Sequence, residues 1–541
     1  VSAVEVLASF AFESPKGVVV DQDLLTRLVA ADVGLVYEKP DPLKLDAELI
    51  TSVMNRPYAQ RHSCVPLRRA NGRTVIALAD PFDIRLKEEL TLLCDGNVTF
   101  QLSSKRDIQN IIATIYGFQN SVSAAAEQHG ITVDVGNLEQ LVKMKNVDQL
   151  EADASPVVAA VEYLLHYAFN QRASDIHIEP KRDRSHVRLR IDGVLHEVYT
   201  LPRAVHPPLT SRLKMMARMD ISEKRRPQDG RIKMSRRGAE IELRVSSLPV
   251  AFGEKIVIRI FDPHTLIQDL GDIGFNEEEL QTWQRFIARP NGLVLVTGPT
   301  GSGKTTTLYS SLMAVAGPEV NVTTVEDPIE MVNEAFNQVL VQKKVGVTFA
   351  VALRTILRQD PDVVMVGEIR DEETARMATT AAQTGHLVFS TLHTNDAAST
   401  ITRMLDMGIE PFLLSSNIVG VMAQRLVRTI CTGCKTDTFL APEQVELLPI
   451  PHDVRSQQKF PVAYGAGCDR CRGTGYYGRT AIFELLPISD TIRKLINANA
   501  SAPEIRRAAR ADDVRSLTDS ALRKLAQKVT TFEEVMAVMH D

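Results

Sequence analysis

The stretch Gly298-Pro299-Thr300-Gly301-Ser302-Gly303-Lys304-Thr305 constrains this chain more than any other, because few folds can use it. It fits G-x-x-x-x-G-K-[ST] and lies between the apolar run Gly292-Leu293-Val294-Leu295-Val296 and the helical segment 306–316. Glycines let backbone N–H groups turn inward onto phosphate oxygens, and the helix that follows adds the positive end of its dipole. Lys304 then reaches the β and γ phosphates, Thr305 ligates Mg²⁺, and Thr306 completes the nucleotide-binding set. The strand before and the helix after distinguish this from a glycine-rich turn that matches by chance. ATP is the ligand it selects.

The surrounding sequence supplies a sheet for such a loop. Apolar runs at 321–325, Val363-Val364-Met365-Val366 and Leu387-Val388-Phe389-Ser390-Thr391 alternate with helical segments, which reads as buried strands of a largely parallel sheet. Asp360-Pro361-Asp362 opens the second of these runs, and Gly367-Glu368 closes it with a carboxylate positioned to hold water or Mg²⁺ beside the γ-phosphate. Another strand ends in Glu326-Asp327-Pro328-Ile329-Glu330; Glu326 is a candidate for polarising the attacking water, against the plain reading of an acidic turn before proline. His386 and His393 flank the last run. A histidine at a strand end usually has a structural hydrogen bond, yet His393 is placed to sense the γ-phosphate, and His386 is the weaker candidate.

At 541 residues the chain exceeds what one hydrophobic core serves, so three or more folding units are expected. Residues 1–117 read as a small α/β module, with a helical pattern over 21–30, an extended run over 74–79, and no motif that ties to a ligand. Periodicity weakens over 118–154, a predicted linker. From 155 to 265 a helical stretch gives way to strand alternation: Ile176 and Ile178, then Val187, Leu189 and Ile191, each between polar neighbours, with Asp192-Gly193 as a hairpin turn. Further strands are expected over 241–245 and 256–261, so this unit is α+β. Residues 266–541 carry the phosphate loop.

Lys and Arg total 62 against 67 Asp and Glu, a formal net charge of −5, which gives no reason to expect nucleic acid as a partner. Even the apolar stretch 157–169 is interrupted by Glu162 and His166, so no transmembrane segment is expected and the chain reads as cytoplasmic. Of six cysteines, four form the pairs Cys431-Thr432-Gly433-Cys434 and Cys468-Asp469-Arg470-Cys471. Four thiolates in this pattern suit a closed tetrahedral Zn²⁺ site, structural or partner-docking in role because no coordination position stays open. Cys64 and Cys94 are expected to be plain buried thiols.

Four segments together resemble the ATPases of type II secretion and type IV pilus assembly. They are the phosphate loop, Thr324-Val325-Glu326-Asp327-Pro328-Ile329-Glu330, Val366-Gly367-Glu368-Ile369-Arg370-Asp371, and Thr384-Gly385-His386 through His393-Thr394-Asn395. In that family these are the Walker A, aspartate-box, Walker B and histidine-box motifs, and Glu368 matches the catalytic carboxylate. The resemblance runs from about Pro156 onward. It implies an α/β, RecA-like P-loop core with an α+β middle domain, a small α/β N-terminal domain and a zinc-binding insertion at about 428–480. It also implies a homo-hexameric ring in which Arg244 and Arg259 of the middle unit, with Arg354 and Arg358, contact phosphates. The N-terminal unit would dock on cytoplasmic domains of an inner-membrane platform. The cysteine pairs disfavour pilus retraction. Val325, the run 407–416 and Met422-Ala423-Gln424-Arg425-Leu426 look closer to the secretion branch than to pilus assembly. Rival readings are a pilus-extension motor, a nucleotide-gated scaffold with little turnover, and a nucleic-acid translocase; intact Lys304, Thr305 and Glu368 argue against the scaffold.

Overall fold

The structure is a computed structural model that describes residues 3–10, 12, 20–40, 45, 47–70, 72–112, 155–236, 239–261, 266–450 and 460–540. The predicted linker at 118–154 lies outside the described residues. The chain divides into two compact units, Val1–Ile260 and Phe261–Asp541.

In the first unit, the N-terminal residues form a four-stranded sheet in the order Val36–Tyr37, Val98–Leu102, Arg73–Leu78, Cys64–Ala70. Ile50, Leu67, Ile76, Leu90 and Ile108 fill its core. The helix Gln22–Asp32 starts where Asp21 accepts from the Leu24 N–H, a side-chain N-cap. Cys64 is fully buried, which pushes its thiol up to about 12. Cys94 is only half-buried, a correction to expectation: it caps the helix Ile84–Leu93 just before the turn at Asp95 and Gly96, where the chain returns to the surface.

The same unit holds a six-stranded sheet ordered Val194–Pro202, Arg184–Ile191, Asp175–Pro180, Gly253–Phe261, Ala239–Val250, Gln228–Arg236. The expected alternation is real. Ile176, Ile178, Val187 and Leu189 pack with Val161, Leu164, Leu209 and Leu213 from the helices Ser155–Asn170 and His206–Met216. Their neighbours Asp175, His177 and Glu179 share the opposite face with Arg188, Arg190, Lys255 and Arg259. Asp192 and Gly193 both take positive φ, 49° and 88°, and close the hairpin between the first two of these strands.

The second unit is built on a seven-stranded sheet ordered Asn337–Leu340, Val322–Glu326, Val363–Val366, Leu387–Leu392, Gly292–Thr297, Ile418–Ile430, Tyr476–Pro487. Six strands run parallel and the last is antiparallel to its neighbour. Both faces are covered, which is why the runs are continuously apolar. Leu293, Leu295, Val364 and Val388 enter one core with the helices Phe349–Ile356, Glu372–Gln383 and Ala397–Asp406. Val294, Val296, Met365 and Phe389 enter the other, with Leu308 and Tyr309 of the helix Lys304–Val315. The active ends of these strands lie where the chain leaves Thr297, Glu326, Val366 and Leu392.

Candidate active site

Thr297 ends the central strand, and the next residue begins the phosphate loop. Gly298 and Gly303 both have positive φ, and a Cβ on either would meet Gln424, at 2.3 Å from its carbonyl oxygen and 2.8 Å from its Nε2. Glycine is required there for close approach as well as for conformation. Gln424 in turn accepts from the Thr307 hydroxyl at 2.8 Å, fixing the first turn of the helix that starts at Lys304. Lys304 folds back on the loop and donates to the carbonyls of Gly298 (2.7 Å) and Pro299 (3.1 Å). Burial lowers its amine to about 8, against the pull of the Glu368 charge. Thr305 and Thr306 are half-buried. Ser302 Oγ is buried with no hydrogen-bond partner among the described residues. A buried hydroxyl left unpaired has a place for a phosphate oxygen, so the loop fits the ligand its sequence selects.

Glu368 follows the strand Val363–Val366 by one glycine. Gly367 is held on both sides, its N–H on the Val325 carbonyl at 2.8 Å and its own carbonyl on the Thr391 hydroxyl at 2.7 Å. The Glu368 carboxylate is 13% exposed; Oε1 lies 2.5 Å from Arg370 Nη2 and Oε2 lies 3.7 Å from His393 Nε2. Burial and the Lys304 charge hold the His393 imidazole below its ordinary value, so it faces Glu368 neutral near pH 7. Lys304, Glu368 and His393 are thus brought together from three sequence-distant strand ends. A chain of hydroxyls secures the arrangement: Thr297 and Thr394 are 2.7 Å apart, and Thr394 and Thr400 2.6 Å.

Glu326 is in a different setting. It is 3% exposed, and its oxygens accept from Tyr309 Oη (2.6 Å), Thr324 Oγ1 (2.6 Å) and Gln338 Nε2 (3.2 Å). Here the carboxylate ties the phosphate-loop helix to the aspartate box through neutral donors. Burial and the neighbouring carboxylate push the Tyr309 hydroxyl far up, so it stays a donor. His386 bonds the Ala381 carbonyl at 2.9 Å and closes the helix Glu372–Gln383, the structural role typical of such a histidine. Arg354 pairs with Glu373 at 3.3 Å, and Arg358 donates to the Arg354 carbonyl. In the first unit, Arg259 pairs with Asp175 at 3.0 Å and Arg244 with Glu242 at 3.4 Å.

Tyr309, Thr297, Gln424 and Arg370 were not assigned roles from sequence. Only Arg370 had a local signal, two residues beyond Glu368; the others act across 17 to 117 residues of chain.

The four paired cysteines bring their sulfurs within 4.8 Å of one another. Three separations are 3.7, 3.7 and 3.8 Å. A tetrahedron with Zn–S of about 2.3 Å has edges of about 3.8 Å, so this set fits zinc. The Cys431, Cys434, Cys468 and Cys471 thiolates would hold it at the base of the hairpin made by Lys435–Phe439 and Pro461–Gly465.

Residues 150–537 match the family model described as type II/IV secretion system protein. The chain belongs to this family. It is an ATPase with a P-loop core. Residues 33–122 match a second model, the MshEN domain. Among relatives, the type IV pilus assembly ATPase TfpB of Acinetobacter baylyi is 40% identical over 95% of this chain and 88% of its own. The type II secretion system ATPase E of Vibrio cholerae is 46% identical over 73% of this chain and 78% of its own. The fold is similar to the Legionella pneumophila ATPase DotB, with TM-score 0.51 and 22% identity over 70% of this chain and 95% of that one. Relatives of this ATPase therefore include both pilus-assembly and secretion ATPases, and none of its described helices is long and apolar enough to cross a membrane.

Proposed function

We propose that this ATPase is a homo-hexameric motor, cytoplasmic and held at the inner membrane by cytoplasmic domains of a secretion platform, that drives pseudopilus assembly in type II secretion. The observation that carries the reading is the convergence of Lys304, Glu368 and His393 on a phosphate loop whose Ser302 hydroxyl has no partner among the described residues. In the reaction, the oxygen of water bonds to the γ-phosphorus as the bond to the ADP oxygen breaks, and the proton of that water passes to Glu368. Lys304 exchanges the carbonyls of Gly298 and Pro299 for phosphate oxygens, which loosens the loop's resting contacts as ATP enters. Mg²⁺ on Thr305 would neutralise phosphate charge.

Arg244, Arg259, Arg354 and Arg358 complete the site in the ring. Arg259 and Arg354 each have a carboxylate partner in the single chain, Asp175 and Glu373. Exchange of that partner for phosphate links hydrolysis to domain movement. Zinc stabilises the insertion and takes no part in hydrolysis.

Greater identity to the secretion ATPase E, 46% against 40%, supports the secretion branch, although over a shorter span. Pilus assembly is the second reading, favoured by the match to TfpB over 95% of the chain. The test is ATP hydrolysis with mass measured in solution, wild type against Glu368→Gln. Turnover that rises with hexamer formation and vanishes in Glu368→Gln, with ATP still bound, supports the motor. A folded hexamer that binds ATP without turnover, even with platform domains added, makes the protein a nucleotide-gated scaffold. Loss of the protein in its host then separates the clients: secreted proteins retained inside for one reading, surface pili lost for the other.

A further inference from the structure

Arg370 stands beside the catalytic carboxylate without an assigned role. Its backbone is held on both sides. The Ile369 N–H bonds the Thr391 carbonyl at 2.9 Å and its side chain is in the core, while Asp371 caps the helix Glu372–Gln383 by accepting from the Thr374 N–H at 2.8 Å. From this fixed point the Arg370 side chain turns back to Glu368 Oε1, although it is 61% exposed and free to extend into water. Exposed ion pairs add little to stability, so the contact is not explained by folding. The ion pair with Glu368, and to a lesser degree the charge of Asp327, holds the Arg370 guanidinium above its ordinary value. Arg370 therefore pairs with the Walker B carboxylate alone, while Asp327 has its own ion pair with Lys343 at 3.7 Å.

The two oxygens of Glu368 are not equivalent. Oε1 is taken by Arg370, and Oε2 faces the neutral imidazole of His393 across 3.7 Å, beyond direct hydrogen-bond distance. We propose that Arg370 is a positioning residue for hydrolysis: it holds Oε1 of Glu368 and so presents Oε2 to the attacking water. The proton of water then passes to Oε2 as the oxygen–phosphorus bond forms and the bond to ADP breaks. This rests on the reading of Glu368 as the base. A charged contact on one oxygen decides which oxygen is left for water, and small errors in the placement of a catalytic group cost rate much more than they cost binding.

The test uses the full chain under conditions in which wild type hydrolyses ATP, with Arg370→Ala, Arg370→Lys and Glu368→Gln measured side by side. Arg370→Ala is expected to lower kcat by about 10- to 100-fold while the ATP KM stays within about threefold and the melting temperature is unchanged. Arg370→Lys, which keeps a cation near Oε1, is expected to recover part of the rate. Wild-type kcat in Arg370→Ala overturns the inference, as does equal impairment of the alanine and lysine variants. Parallel loss of ATP binding also overturns it, because Arg370 would then be a phosphate ligand. If Glu368→Gln keeps full activity, the assignment of the base fails instead, and the two failures are distinguishable.

Discussion

Glu179 in the first unit and Glu484 in the second are both buried carboxylates on sheets, yet their surroundings act on them in opposite directions. Burial works against ionisation of Glu179, but hydrogen bonds from Arg188 and Lys255 outweigh it and hold the group down at about 2. At Glu484 burial dominates, the charge of Asp396 adds to it, and the group is pushed up to about 7. The cause is sheet architecture. The six-stranded sheet has one apolar face and one that long cations can reach, so Arg188, Arg190, Lys255 and Arg259 lie across it. The parallel sheet is covered on both faces, and its buried carboxylates rely chiefly on neutral donors: Tyr309, Thr324 and Gln338 at Glu326, and the Ala397 N–H at Glu484. A buried charge without a cation is costly, which is why the mid-strand Glu484 is held toward its neutral form, whereas Glu326 and Glu368 stand at the ends of their strands.

The strongest test of that contrast is at the active end of the covered sheet. Glu368→Gln is expected to abolish turnover, by about 10³-fold or more, while ATP still binds, whereas Lys304→Ala loses both; equilibrium nucleotide binding beside steady-state hydrolysis separates them. Equal loss of binding in both variants would remove Glu368 from the catalytic role. Next, Cys431→Ser is expected to release metal and destabilise the insertion by several kcal/mol, read by metal content and by protease resistance of the hairpin. Unchanged stability on metal loss would refute a structural zinc.

Sharper still is a comparison of neutral with cationic support. Tyr309→Phe leaves Oε2 of the buried Glu326 with only the long Glu330 N–H contact at 3.5 Å and is expected to destabilise the second unit by about 1–3 kcal/mol in denaturant titration. Arg188→Ala removes a partner that bonds both oxygens of the buried Glu179 but leaves Lys255 at 2.9 Å, and is expected to cost the first unit a similar amount, about 1–3 kcal/mol. No loss of stability in either variant would break the comparison.

The smallest effects are in pH dependence, and their signs differ. Glu179 has a folded value of about 2 against an ordinary 4.5, so its stabilisation is full above 4.5 and is lost as pH falls toward 2. Glu484 has a folded value of about 7, so between 4.5 and 7 the folded chain holds the extra proton and stability falls as pH rises. Glu179→Gln should flatten the acid limb and Glu484→Gln the slope between 4.5 and 7, each followed by melting temperature across pH.

Much of this molecule was legible from local pattern. The phosphate loop, the strand that ends at Glu368, the cysteine pairs and the hairpin at Asp192-Gly193 are each written within a few consecutive residues, and their spacing carries the physics. The strand Gln228–Arg236 was not legible, because its residues lack clean alternation and it gains its place by pairing with Ala239–Val250. Glu326 was legible as a strand-end carboxylate, but not as one buried among the donors Tyr309, Thr324, Gln338 and the Glu330 N–H. Tyr309 reads as one more residue of an amphipathic helix until the fold sets its hydroxyl 2.6 Å from Glu326.

Sequence by itself determined which groups are on offer: a glycine loop with a lysine, a carboxylate at a strand end, and two pairs of cysteines. Backbone freedom and side-chain type are properties of single residues and their near neighbours, so they survive in one dimension. Only the tertiary structure decided how those groups are held: Thr394 against Thr297, Gln424 under the phosphate loop, Tyr309 on Glu326, and Arg370 turned back on Glu368. Such contacts depend on strand order and on how side chains pack between helices and sheet, which no local spacing encodes.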